Sequence, residues 1–363
     1  MNRSFSLYLD FIRFFAAMLV FISHVPGFAG GWLWQIAGFG HEAVVVFFVL
    51  SGFVIAFVVY DKKESAIQYA ASRLSRIYSV ALPALLLTLT LYYSADAINH
   101  ESLESLNQKL GDPIWTTLAA LTFTNQSWIA SPVFSNLPYW SLGYEVLYYV
   151  FFGVLAFCTG FSRIVLLAVV ALVMGPSIIL YLPVWLAGVF CFKYLHSVSM
   201  TFRASLYAYV VSIMGVAALC IESLQNMINS FVRQQIGDGF YAYLLEPAEL
   251  FASDYLLTIF VTLHMFSSYH LIRHSEFFKI RGFVELSIKT LSSHTFSLYL
   301  FHMPILFFVS AVLPYKEHPV ANVFSCWVAT PLIIFAISYF TEKQKSRYKV
   351  FFEELIRRCT PKL

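Results

Sequence analysis

Asp10, Arg13 and His24 sit inside one apolar run, LYLDFIRFFAAMLVFISHV at residues 7–25, which is long enough to span a bilayer. An ionised side chain at the centre of a membrane helix costs about 2.5–3.5 kcal/mol on insertion scales, so such residues face a bundle interior and mark function. Eleven residues at about 100° each bring Arg13 and His24 back to nearly the same helix face, stacked roughly 16 Å apart along the axis. Asp10, three residues before Arg13, is placed to pair with it. One side of the run is therefore a polar ladder through the membrane. A buried structural ion pair with an interfacial histidine has the same spacing and stays open at this level.

Four further groups have the chemistry to join that ladder. In ASRLSRIYSVALP, Arg73 and Arg76 lie three residues apart at a helix start, where two guanidinium forks can clamp phosphates or simply anchor the helix at the membrane surface. In YWSLGYEVLYY, Glu145 falls about one turn into the membrane behind Tyr139 and Trp140. That depth would let it meet His24 at the outer level, and a His with a carboxylate in a shielded site can divide general-base and orienting roles. In SSHTFSLYLFHMPIL, His302 lies near mid-bilayer with Ser297 and Tyr299 nearby. His41 and Glu42 precede FFVLSGFVI, where Ser51 and Gly52 permit close helix approach. The five cysteines are scattered with no metal-type spacing, so neither a disulfide framework nor a zinc site is expected. Neither a Gly-rich phosphate loop nor a nucleic-acid signature is present.

The elements that must position these residues are membrane helices. The chain is 59% hydrophobic, 18% aromatic and only 12% charged, with a mean hydropathy of +0.72, where soluble domains average roughly 25% charged. The expected fold is all-α, a polytopic membrane helix bundle of about ten transmembrane helices. Spans fall at 7–25, 41–60, 77–95, 143–160, 163–181, 204–222, 251–271, 293–313 and 320–340, with a shorter tenth at 184–196 closing a tight hairpin at Pro183. The first is read as a permanent span and not a cleavable signal, because charges interrupt it.

Charge orients this arrangement. With both termini cytoplasmic, 19 of the 23 Lys and Arg fall on the inner side, leaving Lys109, Arg233 and Lys316 outside and Arg13 in the membrane. Two long outer segments, 96–142 and 223–250, are acidic and polar and suit an extracytoplasmic polar ligand or serve as plain linkers. Residues 113–128 read as an amphipathic surface or re-entrant piece. The organisation expected is one transmembrane domain over 1–340, then a cytoplasmic amphipathic, basic tail at 341–363 suited to anionic lipid.

In this order, LDFIRFFAAMLVFISH, FFVLSGFVI, SRLSRIYSVALP, WSLGYEVLYYVFF and SLYLFHMPI, the chain resembles the acyltransferase-3 family of integral membrane O-acyltransferases over essentially its whole length. The resemblance implies transfer of an acetyl or other short acyl group from cytoplasmic acyl-CoA to a hydroxyl of an extracytoplasmic glycan, such as a cell-surface polysaccharide, without a metal. It implies a multi-pass protein of the bacterial inner membrane, in contact with membrane lipid and with possible glycan-assembly partner proteins. Arg13 and His24 match the family's Arg-ten residues-His pair, Arg73 and Arg76 its Arg-x-x-Arg motif, and Glu145 the acid of its Ser-Leu-x-x-Glu segment. In the reaction so implied, Arg73 and Arg76 take the donor's phosphates and Arg13, held by Asp10, lines the channel. His24 is a general base or a transient acyl carrier, and Glu145 orients or charges it. Trp140 and Tyr139 stack against a sugar, with Tyr299 and His302 in support. Phe11 stands where the family usually has Gly, and Ser79 where a Pro is usual. An exporter of a polar metabolite or acyl group, without bond chemistry, is the rival reading; it predicts flux independent of acyl-CoA. A scaffold in a glycan-assembly complex would tolerate substitution of all these polar residues.

Overall fold

The protein is described here by a computed structural model covering residues 2–98, 111–237, 239, 241, 245–274 and 281–359. It is all-α, with no β-strand among the described residues. The principal helices are α1 Arg3–Phe28, α2 Gly40–Ala56, α3 Ala66–Ile98, α4 Pro113–Thr122, α5 Trp140–Phe157, α6 Gly160–Tyr194 and α7 Phe202–Leu219. They continue with α8 Glu222–Ile236, α9 Phe251–His274, α10 Phe283–Ser292, α11 Thr295–Val312, α12 Pro319–Phe324, α13 Thr330–Phe340 and α14 Lys345–Cys359. Among the described residues, nine helical segments are long and apolar enough to cross a membrane. Every backbone N–H and C=O in hydrocarbon must be satisfied within the chain, and helices do this locally.

The expected hairpin at Pro183 is not where the chain breaks. The two runs read as 163–181 and 184–196 are parts of α6, and the non-helical residue is Gly175, at φ 72° and ψ 175°. Glycine reaches that conformation without a Cβ penalty, and Pro176 follows at once. Pro183 lies inside the second helical run, as prolines in membrane helices can. The third span is also longer than its apolar core suggested. At 33 residues, α3 is roughly 50 Å long against a hydrocarbon layer of about 30 Å, so it outruns the bilayer.

The chain divides into two compact units. The first comprises Met1–Ala16, His41–Lys63 and Ala171–Ser292. Here α2 and α6 approach so closely that a Cβ on Gly52 would strike the Trp185 carbonyl and one on Gly188 the Val49 carbonyl. The Trp185 indole also donates to Ser51 Oγ at 3.2 Å, so SGFVI is the close-packing site its small residues announced.

The second unit comprises Ala17–Gly40, Glu64–Val170 and Ser293–Leu363. Its spine is α3 packed along α11, with Ala95, Phe307 and Ala311 forming a buried cluster. Asn136, fully buried, donates from Nδ2 to Thr88 Oγ1 at 3.1 Å and to the Leu300 carbonyl at 3.0 Å, fixing the approach to α5 against both helices. The 113–128 piece becomes α4, capped by Asp112, which accepts from Ile114 N and Trp115 N at 2.9 and 3.0 Å. The tail forms α14, which packs on α3 with Phe352 against Tyr78 at 5.9 Å. Parts of the two long outer segments, of the connection between the 251–271 and 293–313 spans and of the tail (99–110, five positions in 238–244, 275–280 and 360–363) lie outside the described residues.

Candidate functional site

The first helix carries its polar residues as the spacing requires. In the first unit Arg13 Nη2 lies 3.0 Å from Asp10 Oδ1 and donates to the Ser292 carbonyl at 3.1 Å. A charged pair that also holds a backbone carbonyl is fixed in orientation, which suits a wall residue.

In the second unit, His24 meets a partner that spacing did not nominate. His302, fully buried in α11, places Nε2 3.2 Å from His24 Nδ1, and its own Nδ1 lies 2.9 Å from the Leu298 carbonyl. His24 Nδ1 also lies 2.8 Å from the Val20 carbonyl. Carbonyl oxygens only accept, so both Nδ1 atoms carry hydrogen. His302 Nε2 is then a lone pair that accepts from His24 Nδ1–H. His24 Nε2 is left unprotonated, with no protein partner among the described residues. The carbonyls set the two tautomers and His302 supplies a second acceptor for His24 Nδ1–H, leaving the other nitrogen of His24 as a base or nucleophile.

Glu145 does not join His24. Its carboxylate accepts from the Tyr149 hydroxyl one turn on, and with Tyr149 and Glu342 it is an electrostatic neighbour of Arg76. The expectation of a His24–Glu145 pair assumed that α5 begins at the outer membrane face. Contacts along α3 show otherwise. Tyr69 bonds the Tyr149 carbonyl, Arg73 lies over the Tyr149 ring at 5.7 Å, and Thr88 meets Asn136. Glu145 therefore sits at the level of the arginine pair. Beyond it, Ser141 and Tyr299 share a hydroxyl bond at 2.7 Å, and the Tyr299 ring contacts His302 at 6.5 Å. Tyr299 also has Glu145 among its electrostatic neighbours. The arginine pair, Glu145, Tyr299, His302 and His24 thus form one continuous polar series within this unit.

Two features of this series were not foreseen. Glu342 caps the N-terminus of α11, accepting from Ser297 N at 2.9 Å and Phe296 N at 3.4 Å, an anion where a helix dipole favours one. A cavity of about 510 Å³ opens beside the arginine pair, walled by Tyr69, Arg73, Ile77, Tyr78, Tyr149 and Phe157. Tyr149 was legible as an i,i+4 partner of Glu145; Glu342 gave no local signal. The sugar-stacking role expected of Tyr139 fails, because its ring is buried against Phe123 and its hydroxyl donates to the Ala120 carbonyl. Trp140 is half-buried and packs edge-on to Tyr144 at 5.2 Å.

His41 and Glu42 are engaged in the first unit. His41 Nε2 lies 2.8 Å from Asp254 Oδ2, which also accepts from Tyr181, and Gln225 donates to Glu42 at 2.6 Å. His264, unremarked in the sequence, is held between Tyr8 and Ser212 hydroxyls at 2.5 and 3.0 Å. Among the described residues no cluster of His, Cys, Asp or Glu could hold a metal ion.

Comparison with known proteins gives a consistent result. The family described as "Acyltransferase domain" matches residues 6–341. The chain is similar to "Acyltransferase MdmB" of Streptomyces mycarofaciens, with 32% identity over 151 residues, covering 39% of this chain and 36% of that protein. The match therefore spans about a third of the relative's length. No solved structure matches.

Proposed function

The chain belongs to the acyltransferase-3 family of integral membrane proteins, and from that premise we propose that it is an O-acyltransferase moving an acyl group, acetyl in the simplest case, from cytoplasmic acyl-CoA to a hydroxyl of an extracytoplasmic glycan. The reading places it in a bacterial inner membrane with both termini cytoplasmic, as the distribution of Lys and Arg favours. The observation that carries it is the His302–His24 pair, which leaves His24 Nε2 as an oriented base in a chain whose family transfers acyl groups.

In this mechanism Arg73 and Arg76 hold the phosphates of the donor, and the 510 Å³ cavity beside them receives part of its apolar length. The acyl thioester reaches the level of Tyr299 and His302. His24 Nε2 takes the proton of the acceptor hydroxyl as its oxygen attacks the thioester carbonyl, the C–S bond breaks, and CoA leaves as a thiolate that is then protonated. His302 Nε2 accepts from the resulting imidazolium throughout. Glu145, bonded to Tyr149 and near Arg76, sets the charge of the donor end and does not orient the base. Arg13 is held by Asp10 within the first unit.

Mass spectrometry of surface glycans from cells with and without this protein tests the reading, since one mass difference reports both acyl group and acceptor. Indistinguishable spectra from cells that do and do not produce folded protein would refute it.

A further inference from the structure

The last helix, α14, starts at Lys345, a few residues after the membrane helix α13 ends at Phe340, so it begins at the edge of the bilayer. Five Lys and Arg against two Glu give it a surplus of positive charge. At about 100° per residue, Arg347, Phe351, Leu355 and Arg358 fall within about 80° of one another, a single row along the helix. All four are exposed, Phe351 at 60% and Leu355 at 44%. Lys349 pairs with Glu353 at 3.8 Å, whereas Arg347 and Arg358 form no ion pair among the described residues. Two apolar side chains between two unpaired cations are the pattern of a helix that lies in a membrane interface.

Another side of α14 reaches the proposed donor site, all within the second unit. Tyr348, Phe352 and Ile356 are half-buried, and the helix packs along α3 with the Phe352 ring 5.9 Å from that of Tyr78. Tyr78 walls the 510 Å³ cavity beside the arginine pair, together with Phe123, which it meets edge-on at 5.4 Å. The residues leading into α14 include Glu342, the cap of α11 and an electrostatic neighbour of Arg76. One short segment therefore supports a wall of the cavity with its half-buried side and presents a basic, apolar row on its exposed flank.

We propose that α14 docks on anionic lipid at the bilayer surface through Arg347, Phe351, Leu355 and Arg358, and that this contact braces Tyr78 and so tightens donor binding. Charge decides the occupant. A zwitterionic surface gives the apolar pair a place but the two arginines no net counter-charge, whereas an anionic headgroup above an acyl layer supplies both. The start of α14 at the membrane edge puts lipid within reach and favours it over a protein partner. The effect on the donor rests on the acyl-CoA-dependent reading above; the docking on lipid does not.

The test reconstitutes the full-length protein in phosphatidylcholine vesicles with and without phosphatidylglycerol. Brominated acyl chains quench the extra fluorescence of Phe351→Trp over wild type, more strongly with phosphatidylglycerol present, and adding Arg347→Gln and Arg358→Gln removes that increase. Equilibrium binding of radiolabelled acetyl-CoA gives the same Kd for wild type and the double arginine variant in phosphatidylcholine alone. With phosphatidylglycerol the variant binds about fivefold more weakly than wild type, the worth of one basic residue at an anionic surface. Quenching that does not rise with phosphatidylglycerol overturns the docking. A loss of affinity equal in both lipids means that the arginines touch the donor itself, and equal affinity in all four preparations means that no coupling exists; either overturns the brace. No binding of acetyl-CoA by folded wild-type protein overturns the donor reading, while the quenching still decides the docking.

Discussion

Replacing His302 by alanine isolates the role of the histidine pair. The wild-type imidazole is fully buried and accepts from His24 Nδ1–H at 3.2 Å while its own Nδ1–H is held by Leu298. In the ground state this bond joins two neutral rings and contributes about 1 kcal/mol. When His24 takes the acceptor's proton it becomes cationic, and a hydrogen bond from a charged donor is worth about 1.5–3 kcal/mol. The Val20 carbonyl remains as a second acceptor at 2.8 Å, so the loss is that of one partner and not of all support. Only the excess over the ground state, about 0.5–2 kcal/mol, acts on kcat, which at about 1.4 kcal/mol per tenfold falls roughly two- to thirty-fold, with the donor KM unchanged because the arginine pair is untouched. His302→Gln, which can return an amide oxygen to the same position, recovers part of the loss. The assay is CoA release with acetyl-CoA and glycan acceptor in proteoliposomes. A kcat equal to that of wild type in folded His302→Ala protein would refute the stabilisation of the His24 imidazolium by His302.

Other predictions follow from the same geometry. Arg76→Lys exchanges a bidentate fork for a point charge and raises the acetyl-CoA KM about tenfold, measured by varying donor at saturating acceptor; an unchanged donor KM counts against a phosphate clamp. Asp254→Asn disrupts the pairing of His41 and Tyr181 with a carboxylate that is 1% exposed, and breaking a buried pair costs about 3–5 kcal/mol. Its unfolding midpoint in detergent should drop sharply, and a wild-type midpoint would contradict the pairing. Glu285, on α10, accepts from Lys289 at 2.6 Å and from Arg3 at 2.7 and 2.9 Å, and these bonds hold its carboxyl below the ordinary value of 4.5. A depressed carboxyl stabilises the fold above the unfolded value and loses that contribution as pH falls through the folded one. Glu285→Gln should therefore lower the melting temperature at pH 7 and converge with wild type in acid below about 4.5; a constant difference across that range would exclude the linkage.

The helices were legible because hydropathy reports spans directly, and nearly every chemically singular residue lay in a short motif. The polar face of α1, the Asp10–Arg13 pair and the SGFVI packing site all follow from helical periodicity and residue size. Partnerships between helices were less visible. Sequence depth alone pairs Glu145 with His24, because a span read from hydropathy begins at the membrane face, whereas Asn136 anchors the start of α5 beside Leu300, within α11. The pattern points the turn in α6 to Pro183, the second of two prolines in the run, while the residue able to adopt the required φ is Gly175. Glu342 gave no signal, since a capping carboxylate forty-five residues from the amide it binds arises from packing and not from local pattern.

The central claim is that His24 Nε2 takes the proton of a glycan hydroxyl during acyl-CoA-dependent transfer. It is tested most directly by following label from acetyl-CoA into ester-stripped surface glycan with purified wild-type and His24→Ala proteins reconstituted in equal amounts. The account predicts label in the wild-type reaction and a loss of at least about a hundredfold in the variant, the lower bound for a general base, with donor binding retained. Label transfer by folded His24→Ala protein at the wild-type rate would contradict it.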